Sequence, residues 1–140
     1  MQFHVNPGDE APIYRQIMRQ IVDSIAGGRL RPGDKLASHR ELAESLVIAP
    51  LTVKKAYDEL EQAGYLETQR GRGTFVARRL PSPDPVQMWA RLRDTARRLA
   101  AQAMLSEVTL EEAKELVESE YHALLREREG GAEDEEGSQA

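Results

Sequence analysis

The sequence predicts a mainly α-helical protein with one small β-hairpin, on three observations. Apolar residues recur at three- and four-residue spacing in five separate stretches, the period of a helix with one buried face. A strand, a glycine-rich tip and a second strand occur once, over residues 65–78. Prolines, glycines and serine or threonine caps stand where such helices should begin and end.

The first helix is predicted from Ile13, with Ile13, Ile17, Ile21 and Ile25 on one stripe beside Met18 and Val22, and Gly27-Gly28 ending it. A Pro32-Gly33 turn follows. Ser38 and Glu41 form an S-x-x-E capping box, which starts a short second helix at about His39, with Leu42, Ala43 and Leu46 facing inward. Pro50 suits the first position of a third helix, where its missing N–H is no loss. Val53, Ala56, Tyr57 and Leu60 form the buried stripe of that helix, and Gly64 falls just past its end. "YLETQ" and "TFVAR" are strand-like around the tip "RGRG". "LPSPDP", residues 80–85, reads as a linker.

Two further helices are expected beyond it. Asp84 and Pro85 open one, with a stripe of Met88 or Trp89, Leu92, Ala96, Leu99 and Ala103. A Thr109/Glu112 capping box opens the other, with Leu110, Ala113, Val117, Tyr121 and Leu124 on one face. Residues 127–140 are acidic, contain glycines and lack any large apolar side chain, so they are expected to be a disordered tail. The expected organisation is a first domain at 1–79, the linker at 80–85, a two-helix region at 86–126 and the tail at 127–140.

Composition narrows the function. The 140 residues are 40% hydrophobic and 31% charged, as in a globular chain. They include no cysteine, which excludes disulfides, thiolate metal sites and cysteine nucleophiles. No apolar run approaches the roughly 18 residues of a membrane span, and the first ten residues lack a signal-peptide plan, so a cytoplasmic protein without membrane contact is expected. The three histidines lie on separate elements without metal-ligand spacing, and no nucleophile elbow occurs, so neither an enzyme nor a metal or cofactor site is expected. The net charge is −5, but unevenly spread: residues 1–80 hold 12 Lys and Arg against 10 Asp and Glu, and residues 81–140 hold 7 against 14. That asymmetry hints at a basic working surface joined to an acidic module.

Three helices followed by a hairpin, with a very short turn between the second and third, spell a winged helix-turn-helix. The third would be the recognition helix, and its buried stripe leaves Leu51, Thr52, Lys54, Lys55 and Asp58 facing out. The tip "RGRG" lacks the lysine, the spacing and the following helix of a phosphate-binding P-loop. As a wing, it lets Gly71 and Gly73 bring backbone close to DNA, while Arg70 and Arg72 supply charge. The expected DNA-binding set is Ser38, Arg40, Leu51, Thr52, Lys54, Lys55, Arg70, Gly71 and Arg72.

The stretch from Pro12 to Ala77 resembles the DNA-binding domain of the GntR family of bacterial transcription regulators. The motifs that carry the likeness are G-x-L-x-P-G-D-x-L, R-E-L-A, T-V-x-x-A-Y-x-x-L and R-G-x-G-T-F-V, in that order. The resemblance implies that Arg40 contacts DNA from the second helix, that Thr52 and Lys54 work from the recognition helix, and that Gly71 enters the minor groove. The chain departs from the family where Leu36-Ala37-Ser38 replaces Leu-Pro-Ser, and where Ala49-Pro50 replaces a Ser-Arg or Thr-Arg pair. A proline at that place, and a C-terminal region of only about 45 residues, look like the YtrA subfamily. Two helices cannot enclose an effector pocket, but they can bury their stripes against a second copy. The implied protein is a dimeric regulator, most simply a repressor of an operon such as a transporter operon, bound to a palindromic operator in double-stranded DNA. The sequence leaves open whether a small-molecule effector exists. A winged-helix module that binds protein instead of DNA is the alternative, and steep salt dependence of binding would separate the two.

Overall fold

The structure, a computed structural model, describes residues 2–82 and 84–138, with side chains as far as residue 130. The elements run α1 (Ile13–Ala26), α2 (His39–Leu46), α3 (Pro50–Gln62), β1 (Leu66–Gln69), β2 (Gly73–Val76), α4 (Pro85–Leu105) and α5 (Leu110–Ser138). The chain divides into two compact units, Met1–Pro81 with Glu127–Ala140, and Ser82–Arg126.

The core of the first unit is built from the predicted stripes. Ile17 and Ile21 of α1, Val53, Ala56 and Leu60 of α3, Leu42 and Ala43 of α2, and Leu66 and Val76 of the hairpin are buried together. Burying each large aliphatic side chain is worth about 2 kcal/mol. The helix ends follow the caps: Ser38 Oγ accepts the Glu41 N–H at 3.1 Å to start α2, and Pro50 opens α3. Helices α2 and α3 end alike, with an N–H reaching back five residues: Ile48 to the Ala43 carbonyl at 3.0 Å, and Tyr65 to the Leu60 carbonyl at 2.9 Å. That closure needs one left-handed residue at each end. Gly64 supplies it after α3 at φ +91°, but after α2 it is Val47, at φ +56°.

The segment before α1 is held by two glutamines acting as substitute strand partners. Gln16 accepts the Asn6 N–H and donates to its carbonyl, both at 2.8 Å. Gln20 does the same for His4, at 2.9 and 2.6 Å. Gln16 is thus buried with its amide satisfied.

The hairpin is antiparallel with Leu66 opposite Val76 and Gln69 opposite Gly73. The loop before α2 adds to it. The Leu36 N–H donates to the Thr74 carbonyl, and the Val76 N–H to the Asp34 carbonyl, both at 2.8 Å. The wing therefore stands on a third segment, fixed to the core through Leu36.

In the second unit, Asp84 caps α4 by accepting the Val86 N–H at 3.0 Å. The Thr109/Glu112 box forms in both directions at the start of α5. No residue of α4 is buried. Leu99, Ala103, Val108, Val117 and Tyr121 line an open groove of about 780 Å³, and Trp89, Leu92 and Tyr121 are 63%, 53% and 64% exposed.

One expectation differs from the structure. α5 runs through residues 127–138 of the stretch expected from composition to be a disordered tail, and residues 139–140 lie outside those described. Composition shows that the stretch has nothing to bury, but a tail can also be held by charge. Within the first unit, Arg128 donates through Nη2 to the Ala26 carbonyl at 2.7 Å, and Glu127 lies 3.4 Å from Arg29. A guanidinium on the last carbonyls of α1 satisfies an acceptor that the helix leaves open.

Candidate nucleic-acid interface

Three elements of the first unit carry the sequence-predicted residues. Ser38 is occupied as the N-cap of α2, and Arg40 follows in the first turn, exposed. The positive end of a short helix beside an arginine suits a backbone phosphate. On α3, Leu51, Lys54 and Lys55 are exposed and Thr52 is half-buried.

The two lysines are not equivalent. Lys54 Nζ lies 2.7 Å from Asp58 Oδ2, one turn further along the same face. Lys55 Nζ lies 4.2 Å from the centroid of the Tyr14 ring on α1, a cation–π contact. Both charges have partners within the protein. Arg40, Arg70 and Arg72 make no ion pair among the described residues.

The wing tip is a tight turn closed by the Arg72 N–H on the Gln69 carbonyl at 2.9 Å. Gly71 takes its third position at φ +78°, where a type II turn requires a positive angle. Arg70 and Arg72 flank it, exposed. A Cβ added at Gly71 would meet nothing within 4 Å, so the tip is open to an approaching strand.

Sequence patterning does not point to Lys35. It pairs with Phe75 of β2 through an isolated bridge, and its Cε lies 2.9 Å from where a Cβ on Gly73 would stand. Its ammonium thus lies beside Gly73 of the hairpin, brought there from a different loop. The only signal in the sequence is a lysine inside a Gly-Asp-Lys-Leu turn, and nothing local says that this turn joins the hairpin.

Behind this surface, the Tyr57 hydroxyl donates to the Ala37 carbonyl at 2.7 Å, tying α3 to the residue before the α2 cap. Burial pushes its phenol up to about 12, and Glu41 adds to the shift. The group is a neutral donor throughout the ordinary pH range.

A short helix-turn-helix with an arginine-tipped hairpin behind it defines the class of winged-helix DNA-binding proteins. The family model for bacterial regulatory proteins of the gntR family matches residues 13–76. The chain is 36% identical over 113 residues to the HTH-type transcriptional repressor YtrA of Bacillus subtilis, an alignment covering 81% of this chain and 87% of that protein. Among solved structures it is similar to a transcriptional antiterminator from Listeria monocytogenes, with a TM-score of 0.75 and 30% identity over 89% of this chain and 93% of that one. It is also similar to YtrA from Sulfolobus acidocaldarius, a GntR-family transcription factor, with a TM-score of 0.55 and 39% identity over 71% of this chain and 97% of that one. The chain belongs to the gntR family of bacterial regulatory proteins, on its YtrA-like side, and is a DNA-binding transcription regulator rather than an enzyme.

Proposed function

We propose that the protein is a cytoplasmic homodimeric repressor that binds a palindromic operator, with Ser38, Arg40, Leu51, Thr52, Lys54, Lys55, Arg70, Gly71 and Arg72 facing the DNA. The observation that supports the DNA-facing part is that Arg40, Leu51 and the tip arginines are all exposed on elements packed around one core. In this reading Arg40 holds a phosphate, Thr52 and Leu51 meet base edges, and Gly71 lets the tip into a minor groove between Arg70 and Arg72. Lys54 and Lys55 must leave Asp58 and Tyr14, or share them, to engage DNA.

The second unit supports self-association. The apolar face of α4 and α5 is uncovered in one copy of the chain, and a two-fold partner presenting the same face would bury it. Two wings and two recognition helices would then read half-sites whose spacing the dimer sets.

Selection of bound fragments from the organism's genomic DNA, at near-physiological salt, tests this. Enrichment of one inverted repeat is expected, with binding that weakens steeply as salt rises. Binding without enrichment of any repeat would refute operator recognition. Sedimentation of the wild-type chain and of Leu92→Glu/Val117→Glu tests the dimer. Conversion of a dimer to a monomer is expected, and a wild-type chain that sediments as a monomer would refute it.

A further inference from the structure

The entry to the recognition helix is edged by exposed hydrocarbon side chains. Ala49, Pro50 and Leu51 are exposed, Leu51 at 76%, and Val47 in the preceding turn is 89% exposed. Ile48 between them is half-buried against the core. Of the polar side chains that follow along α3, Thr52 is half-buried, Lys54 is engaged with Asp58 and Lys55 with Tyr14.

The fold accounts for Pro50 at the head of α3, but not for Leu51 or Val47. Leu51 lies outside the core, and a polar residue at the second position of α3 would serve the helix as well. Val47 occupies a left-handed conformation that a β-branched side chain enters only at a cost, yet its side chain packs on nothing in the core. A single exposed leucine is ordinary. A run of exposed apolar residues at the leading edge of a recognition helix is selective, because the bases differ in what they offer it. Guanine calls for an arginine or lysine and adenine for an amide, whereas thymine alone presents a methyl group in the major groove.

We propose that Leu51 is a specificity-determining residue that packs against thymine C5-methyl groups in the major groove, with Pro50 and Val47 widening the apolar edge. This rests on the DNA-binding reading above and adds the base class that the helix selects. The half-site is expected to hold thymine opposite the first turn of α3.

The test uses the full chain and the fragment enriched in the genomic selection, with thymines replaced one at a time by deoxyuridine, which removes only the methyl. One or two positions in each half-site should lose affinity by about fourfold per methyl. In Leu51→Asn that loss should disappear, while circular dichroism and melting show the fold intact. Binding that no deoxyuridine replacement changes, or an equal loss in Leu51→Asn, overturns the proposal and leaves DNA binding standing. Failure to bind any fragment, with the apolar edge instead engaging a protein, overturns the proposal together with the reading beneath it.

Discussion

The Tyr57 hydroxyl donates to the Ala37 carbonyl at 2.7 Å, and this bond joins the recognition helix to the residue that precedes the α2 cap. The two helices of the helix-turn-helix are therefore held together at both ends, by the short turn and by this phenol. The phenol donates only while it keeps its proton. Burial raises it from an ordinary value of 10.0 to about 12. Between those values an unfolded chain has released the proton and the folded chain has not, so stability falls as pH rises through that window. Urea melts from pH 9 to 11.5 should show this loss, present in full below about pH 10. Tyr57→Phe should lower stability by about 1 kcal/mol at neutral pH and remove this tyrosine's share of the alkaline slope. An unchanged alkaline slope in Tyr57→Phe would refute the assignment.

Val47 is the residue at which the local conformation and the side chain disagree. At φ +56° a valine carries strain that glycine does not. Val47→Gly should raise stability by about 1 kcal/mol, the strain relieved less the extra freedom of glycine in the unfolded chain. Thermal melting decides it, and a loss of stability would show that the exposed side chain has a structural role.

The two wing glycines should respond differently to alanine. At Gly73 a Cβ meets Lys35 Cε at 2.9 Å, and φ is +123°. At Gly71 the space is open, although φ is +78°. Gly71→Ala should cost about 1 kcal/mol, and Gly73→Ala more, because its φ lies outside the left-handed well that other residues can enter. Hydrogen exchange of the Val76 and Leu36 amides, bonded to the Asp34 and Thr74 carbonyls, would report it. Equal protection in both variants would mean that the backbone at residue 73 relaxes to an allowed conformation without cost.

Asp58 holds Lys54 at 2.7 Å on the exposed face of α3. Such a surface pair contributes well under about 1 kcal/mol to folding. Asp58→Asn should therefore leave the melting temperature nearly unchanged while freeing a cation for DNA. Affinity for any duplex should rise, and the salt dependence should steepen by about one phosphate's worth. An unaltered salt slope would place Lys54 away from the DNA.

Much of this was legible in the residues. The stripes of α1 and α3, the Ser38 cap, Pro50 at the head of α3 and the hairpin around Gly71 depend on neighbours within a few positions, where periodicity and capping act. The sequence by itself determined the element order and set Arg40, Leu51, Arg70 and Arg72 at exposed positions of α2, α3 and the hairpin tip. Only the tertiary structure decided what those residues meet. Lys35 reaches the wing because the 33–36 loop bonds to β2, a pairing across some forty residues. Lys55 rests on Tyr14 because α1 packs against α3. Val47 turns left-handed because Ile48 must return to the core, and Arg128 finds the end of α1 through a contact 102 residues apart. Short-range propensities choose which elements form, whereas long-range packing chooses which charges remain free at the surface of the first unit.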